Sequence, residues 1–159
     1  MMISLIACVD SDNGIGLNGT IPWNLREDMK RFRKLTTGST IVMGRLTWES
    51  IGSKPLPNRN NIVITSKPES IQLGIGCLSF EEAVQKAATF NKPIFAIGGS
   101  AVYKDALLYG ASKVILTRID KSYGCDTIFP MDTMKGFKWD IEEWNESNGI
   151  TYRYETYFK

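Results

Sequence analysis

The sequence predicts an α/β protein: a mixed, mostly parallel sheet flanked by helices and ending in an antiparallel C-terminal hairpin. Three observations predict it. Up to residue 119, short apolar runs rich in β-branched residues alternate with stretches of helical periodicity, an order that implies crossover helices between parallel strands. The tail instead sets two strand-like arms about a turn, the second with period-two alternation. The 159 residues contain no repeat, low-complexity segment or linker, so 1–159 reads as a single domain, long enough to bury roughly 70% of the surface its unfolded chain exposes.

Each element follows from its residues. ISLIACV (3–9) is an unbroken apolar run suited to a buried strand. In IPWNLREDMKRF (21–32), Asn24 is placed to cap a helix and Glu27 to reach back in a capping box. At about 100° per residue, Leu25, Met29, Phe32 and Leu35 form its apolar stripe, with Arg26, Glu27, Lys30, Arg33 and Lys34 opposite. TIVMG (40–44) is a strand leading into a short helix around TWESI, and NIVITS (61–66) is the next strand. FEEAVQKAAT (80–89) is helical, PIFAIG (93–98) a strand, VYKDALLYG a helix and KVILTRI (113–119) a strand. FKWDIEEW and ITYRYETYF, separated by NESNG, form the hairpin.

Composition removes several classes of function. Nineteen basic against 17 acidic residues give a net charge of +2, which does not suggest nucleic acid as partner, and the basic run KRFRK spreads around a solvated helix face. There is no histidine, which excludes serine-histidine and cysteine-histidine catalysis and histidine-ligated metal; no metal is expected. Cys8, Cys77 and Cys125 are widely separated and match neither a zinc spacing nor a redox pair, in keeping with a reducing cytoplasm. Asp10 and Asp12 interrupt the early apolar run, so no signal peptide is expected, and no run approaches a membrane span.

Open α/β sheets bind ligands beyond the carboxyl ends of their strands. AIGGSAVY (96–103) passes through Gly98 and Gly99 into a helix; this is either a tight strand-to-helix turn or bare backbone that admits a phosphate. MGRLTW (43–48) repeats the pattern with Arg45 and Thr47, and ITSKP adds Ser66 and Lys67 at a third strand end. Arg45 alone reads as a surface residue, but three anion-friendly ends together favour an extended phosphate-bearing ligand such as a dinucleotide. Neither G-x-G-x-x-G nor G-x-x-x-x-G-K-[ST] is present, so this is neither an ordinary Rossmann enzyme nor a P-loop ATPase.

Asp28 is the anomaly. It falls inside the apolar stripe, between Phe32 and Leu35, where a carboxylate must be paired, protonated or held for a ligand. Either it is a buried acid bonded to backbone or to a hydroxyl such as that of Thr117, or, with Trp23 and Phe32 beside it, it grips the amidine-like edge of a flat heterocycle. Trp23 and Phe32 by themselves are equally read as core.

The chain resembles the dihydrofolate reductase family over nearly its whole length. The matching pieces stand in family order: ISLIAC, NGIGLNGTIPWNL with Asp28, IVMGRLTWESIG, PLPNRNNIV, FAIGGSAVY, ILTRID and DTIFP. The resemblance implies a mixed eight-stranded sheet and NADPH-dependent reduction of dihydrofolate to tetrahydrofolate. Asp28 would bind the pterin's amino edge and assist ring protonation, Thr117 would hold Asp28 and the pterin, and Trp23 would position a water. Ile6, Cys8 and Ile97 would line the pterin and nicotinamide pocket, Phe32 and Ile51 would pack on the folate, and Arg59 would clamp a carboxylate of its glutamate tail. The cofactor would run past Gly98 and Gly99, joined by a cis peptide, to Arg45, Thr47, Ser66 and Lys67. Ala7, Gly44 and Thr65 would also face it, as would Val102 and Tyr103. GLNGTIPW would be a mobile loop closing over nicotinamide, with Ile15 beside the cofactor and Gly16 and Gly19 lending backbone freedom. A monomer is expected, no interface being marked.

Three departures from the family pattern stand out. Cys125 precedes DTIFP where many bacterial members have glycine, Asn58 replaces glycine in PLPGR, and Ala101 leaves no basic side chain after the Gly-Gly turn. Asparagine tolerates a left-handed turn, so Arg59 should still be presented. The competing readings are a riboflavin-pathway reductase on the same fold, against which Asp28 and Arg59 argue, and a non-catalytic NADP- or pterin-binding protein.

Overall fold

Period-two alternation along the first strand sorts its side chains onto two layers. Ile3, Leu5, Ala7 and Val9 join a core with the third and fourth helices, whereas Ile6 faces a second core with Ile41, Met43, Trp48 and Phe95. In the computed structural model, which describes residues 2–159, the strands are β1 (Ile3–Val9), β2 (Gly14–Gly16), β3 (Thr40–Gly44), β4 (Asn60–Ile64), β5 (Ile75–Cys77), β6 (Ile94–Gly98), β7 (Lys113–Ile119), β8 (Thr127–Ile128), β9 (Lys138–Ile141), β10 (Asn145–Ser147) and β11 (Ile150–Phe158). The helices are α1 (Arg26–Thr36), α2 (Arg45–Ser50), α3 (Phe80–Ala88) and α4 (Ser100–Tyr109).

The main sheet runs β10-β11-β7-β1-β6-β3-β4-β5, with β9 also paired to β11. Glu155–Phe158 of β11 pair with β9 and Ile150–Tyr152 with β10, so nine strand segments fill eight positions. β7, β1, β6, β3, β4 and β5 pair in parallel, and β11 runs antiparallel to β7. This is the mixed eight-position sheet with an antiparallel C-terminal hairpin. Parallel pairing brings the carboxyl ends of β1, β6, β3 and β4 to one rim, where Asp10, Gly98, Gly44 and Thr65 lie.

The structure corrects several local expectations. The capping box at Asn24 and Glu27 does not form: Leu25 is the N-cap residue, without a side-chain cap. Packing sets the start, because Leu25 is buried against Ile119 and Tyr152, and this leaves Asn24 exposed. A side-chain cap forms instead at α3, where Ser79 Oγ accepts from the Glu82 amide at 3.1 Å and Glu82 Oε2 accepts from the Leu78 amide at 3.0 Å. Met29 is 65% exposed; the inward face of α1 centres nearer Asp28 and Phe32, leaving Met29 at its margin. NESNG is not all turn, since its first three residues form β10 and only Asn148 and Gly149 take left-handed φ of 50° and 81°, as a two-residue hairpin turn requires. The short strands β2, β5 and β8 show no readable periodicity over two or three residues.

Candidate active site

Parallel pairing of β1 with β7 sets Cys8 beside Thr117, and α1 lays Asp28 over them. The Thr117 hydroxyl donates to Asp28 Oδ1 at 2.6 Å. The Cys8 thiol sits against both the Asp28 carboxylate and Trp23, and the Trp23 and Tyr123 rings lie 5.2 Å apart. Burial raises the Asp28 carboxyl above its ordinary range, against the opposing pull of the Thr117 hydrogen bond, the Arg31 charge and Cys8. Burial and the neighbouring carboxylate together push the Cys8 thiol well up, so it stays neutral. Arg31 stacks its guanidinium 3.8 Å from the Tyr154 ring centre rather than forming an ion pair with Asp28. Ile6, Phe32, Ile51 and Ile97 belong to one apolar cluster, together with Leu56, which sequence reasoning did not name.

At the outer end of this surface, Asn58 takes the left-handed φ of 61° expected of it, and Arg59 follows directly. Its Nη1 donates to Thr36 Oγ1 at 3.0 Å and its Nε to the Pro57 carbonyl at 2.9 Å. Burial, then the nearby Arg33, lowers its pKa. A second cation close to a partly buried guanidinium favours an anion there.

On the other side, the Gly98–Gly99 peptide is cis and Gly98 has φ 131°, backbone that disfavours any side chain. A Cβ on Gly98 would lie 3.2 Å from Thr47 Oγ1 and 3.5 Å from the Tyr103 hydroxyl. A Cβ on Gly44 would lie 3.5 Å from Val102 and 3.8 Å from the Gly99 amide. Bare backbone at both strand ends thus keeps open a cradle bordered by Thr47 and the start of α4, and this fits a pyrophosphate. Tyr103 is committed elsewhere, donating to the Ile6 carbonyl at 2.8 Å, with burial pushing its phenol far up. Thr65 is buried, its hydroxyl accepting from the Lys67 amide at 3.2 Å, while Ser66 and Lys67 are exposed. Arg45, expected on a phosphate, here pairs with Glu49 at 2.6 Å on the surface of α2.

A model of the dihydrofolate reductase family matches residues 2–159. The chain belongs to the dihydrofolate reductase family. It is 45% identical over 130 residues to the dihydrofolate reductase of Buchnera aphidicola from Acyrthosiphon pisum, covering 82% of this chain and 80% of that one. With the Bacillus subtilis dihydrofolate reductase it shares 37% identity over 161 residues, 99% and 95% of the two chains. The structure matches dihydrofolate reductase from Enterococcus faecalis complexed with NADP(H) and RAB-propyl, with a TM-score of 0.85, 30% identity and coverage of 99% and 95%.

Within this reductase fold, the segment expected to be a mobile loop is tied at its root. Asp10 is fully buried and accepts the amides of Gly14 (2.7 Å), Asp12 (2.9 Å) and Tyr123 (3.0 Å). Burial works to raise its pKa, and those amides with the Cys125 thiol outweigh it, leaving it lowered. Cys125 packs on Gly14, where a Cβ would come within 2.5 Å of its own. Further along, Asp126 Oδ2 accepts the Asn18 amide at 3.0 Å, next to the tight turn that closes Leu17 on Thr20. Sequence reasoning marks Asp10 only as a break in the early apolar run and does not name Arg118 or Glu155, which with it hold this region; only the polarity of Glu155 inside an alternating strand signals it.

Proposed function

We propose that the cleft between α1 and the rim of β1, β6, β3 and β4 reduces 7,8-dihydrofolate to 5,6,7,8-tetrahydrofolate with NADPH. The observation that carries this reading is Asp28: a half-buried carboxylate with a raised pKa, held by a 2.6 Å bond from Thr117, beside the apolar surface of Ile6, Phe32, Ile51 and Ile97. A carboxylate so placed offers two oxygens to an amino-pteridine edge and is short of partners without one. Trp23 bounds the same space, with Cys8 on its floor.

When bound, NADPH supplies the hydride for the carbon of the pterin's imine bond. The adjacent ring nitrogen must then gain a proton. Asp28 raises the basicity of the ring through its charge, Thr117 fixes the carboxylate's orientation, and Trp23 orients the water that delivers the proton. Arg59, with Arg33 nearby, receives a carboxylate of the glutamate tail. Gly44, Gly98 and Gly99 would admit the cofactor backbone beside Thr47 and Val102, and Ala7 and Tyr103 would border it. Arg45, Thr47 and Ser66 would hold the cofactor phosphates, Lys67 would add charge near the adenosine end, and Thr65 would lie beside them. Ile15, Gly16 and Gly19 belong to the loop that covers the nicotinamide, which excludes water and aligns the two rings.

In this reading residues 1–159 form one domain that works as a cytoplasmic monomer without nucleic acid. Three free cysteines fit that reducing setting. The test is loss of reduced-nicotinamide absorbance with and without dihydrofolate, in wild type and Asp28→Asn. Oxidation that depends on dihydrofolate and fails in the variant supports the assignment. A folded wild type that binds NADPH and folate without turnover overturns it.

A further inference from the structure

Glu155 on β11 is 1% exposed and collects three donors: Arg118 from β7, Arg153 at 2.9 Å and the Tyr157 hydroxyl at 2.9 Å. Arg118 meets it with two nitrogens, Nε at 3.2 Å and Nη2 at 3.1 Å. This bidentate grip fixes the guanidinium plane. Its remaining nitrogen, Nη1, then points at the turn after β1, donating to the Asp10 carbonyl at 2.9 Å and to Asn13 Oδ1 at 2.6 Å. Asn13 holds a left-handed φ of 64°, and its own carbonyl accepts from the Phe129 amide at 2.7 Å. The next residues are β2, and beyond it runs the segment 17–24. A buried acid on the last strand is therefore connected, through one arginine, to the turn from which that segment departs.

We infer that Arg118, oriented by Glu155, is a positioning residue: it clamps Asn13 and so sets how firmly the 14–24 segment closes over the bound cofactor. This rests on the reductase reading above. The clamp lies apart from the residues assigned above to substrate and cofactor. Its loss leaves the Asp28 pocket intact and changes how long NADPH is retained and how fast the hydride is transferred once both ligands are bound.

The test uses the whole protein with NADPH and dihydrofolate. Asn13→Gly keeps the left-handed backbone and removes the acceptor; Asn13→Asp keeps an acceptor and gives Arg118 a charged one. NADPH dissociation is followed by competition in stopped flow, and hydride transfer by single turnover. Asn13→Gly is expected to speed NADPH release about tenfold and to slow single-turnover hydride transfer by a similar factor. Asn13→Asp is expected to retain wild-type values. Folate affinity without cofactor should not move in either. Glu155→Gln should shift the same two rates in the same direction, and adding it to Asn13→Gly should give no further change, since both act through one arginine. An effect of added backbone freedom alone would instead combine with Glu155→Gln in full, and that result overturns the clamp. So do release and transfer rates in Asn13→Gly within twofold of wild type. Wild-type turnover of dihydrofolate in the same experiment separates failure of the clamp from failure of the reductase reading.

Discussion

Asp28, half-buried, and Glu155, fully buried, are two acids with opposite surroundings. Asp28 receives the Thr117 hydroxyl and the Cys8 thiol, and among the described residues no cation comes within ion-pair distance of it. Glu155 receives two guanidinium groups and a phenol. Burial raises both pKa values; at Asp28 it prevails, whereas at Glu155 the Arg118, Tyr157 and Arg153 contacts outweigh it and the net shift is downward. An acid saturated by its own chain is scaffold. One that receives only a hydroxyl and a thiol keeps acceptor capacity that a ligand can use.

The contrast breaks most readily at Asp28. Asp28→Asn should fold and lose dihydrofolate turnover at neutral pH by about 100-fold or more; near-normal rates would remove the distinction. Its stability should move the other way. A carboxyl whose folded pKa is raised contributes stability below its unfolded pKa and loses it as pH rises through the folded value. At neutral pH the ionised Asp28 is thus a cost, and thermal melts should show the Asn variant no less stable than wild type.

Glu155→Gln should do the reverse, lowering stability at neutral pH by about 3 kcal/mol while dihydrofolate turnover persists, slowed only through the Arg118 clamp. Here the folded pKa is depressed, so the contribution is present above the unfolded pKa and lost as pH falls through the folded one. Denaturant titrations of wild type should therefore weaken on acidification more steeply than those of the variant. Equal slopes would remove the charge of Glu155 from the account.

Smaller effects belong to the cofactor side, where Arg45 is bound to Glu49 rather than held ready. Arg45→Ala should weaken NADPH about tenfold by titration. Glu49→Gln, which frees the arginine, should tighten it by about twofold, as expected for an exposed pair. Weaker binding in Glu49→Gln would assign Glu49 a supporting role instead.

Long strands and helices were legible because five or more residues carry a period, and β1, β3, β7 and α3 lie where the pattern predicts. Asp28 was legible because a charge interrupts a helical stripe, and Thr117 because a hydroxyl on the facing strand is its natural partner. Met29 was misread, since periodicity gives a face but not its centre. Asn24 was displaced as a cap by the burial of Leu25, which local chemistry does not reveal. Arg118 and Glu155 were illegible for a different reason: their meaning lies in the β7–β11 register, which pairs Arg118 with Arg153 and Leu116 with Glu155. No local pattern specifies that register.

The most direct measurement is the pH dependence of single-turnover hydride transfer in wild type and Asp28→Asn between about pH 5 and 9. If the Asp28 charge raises the basicity of the pterin, the variant's rate should decline at lower pH than that of wild type. The gap between the two should then narrow towards acid. A ratio of rates that stays constant across the range would contradict that role.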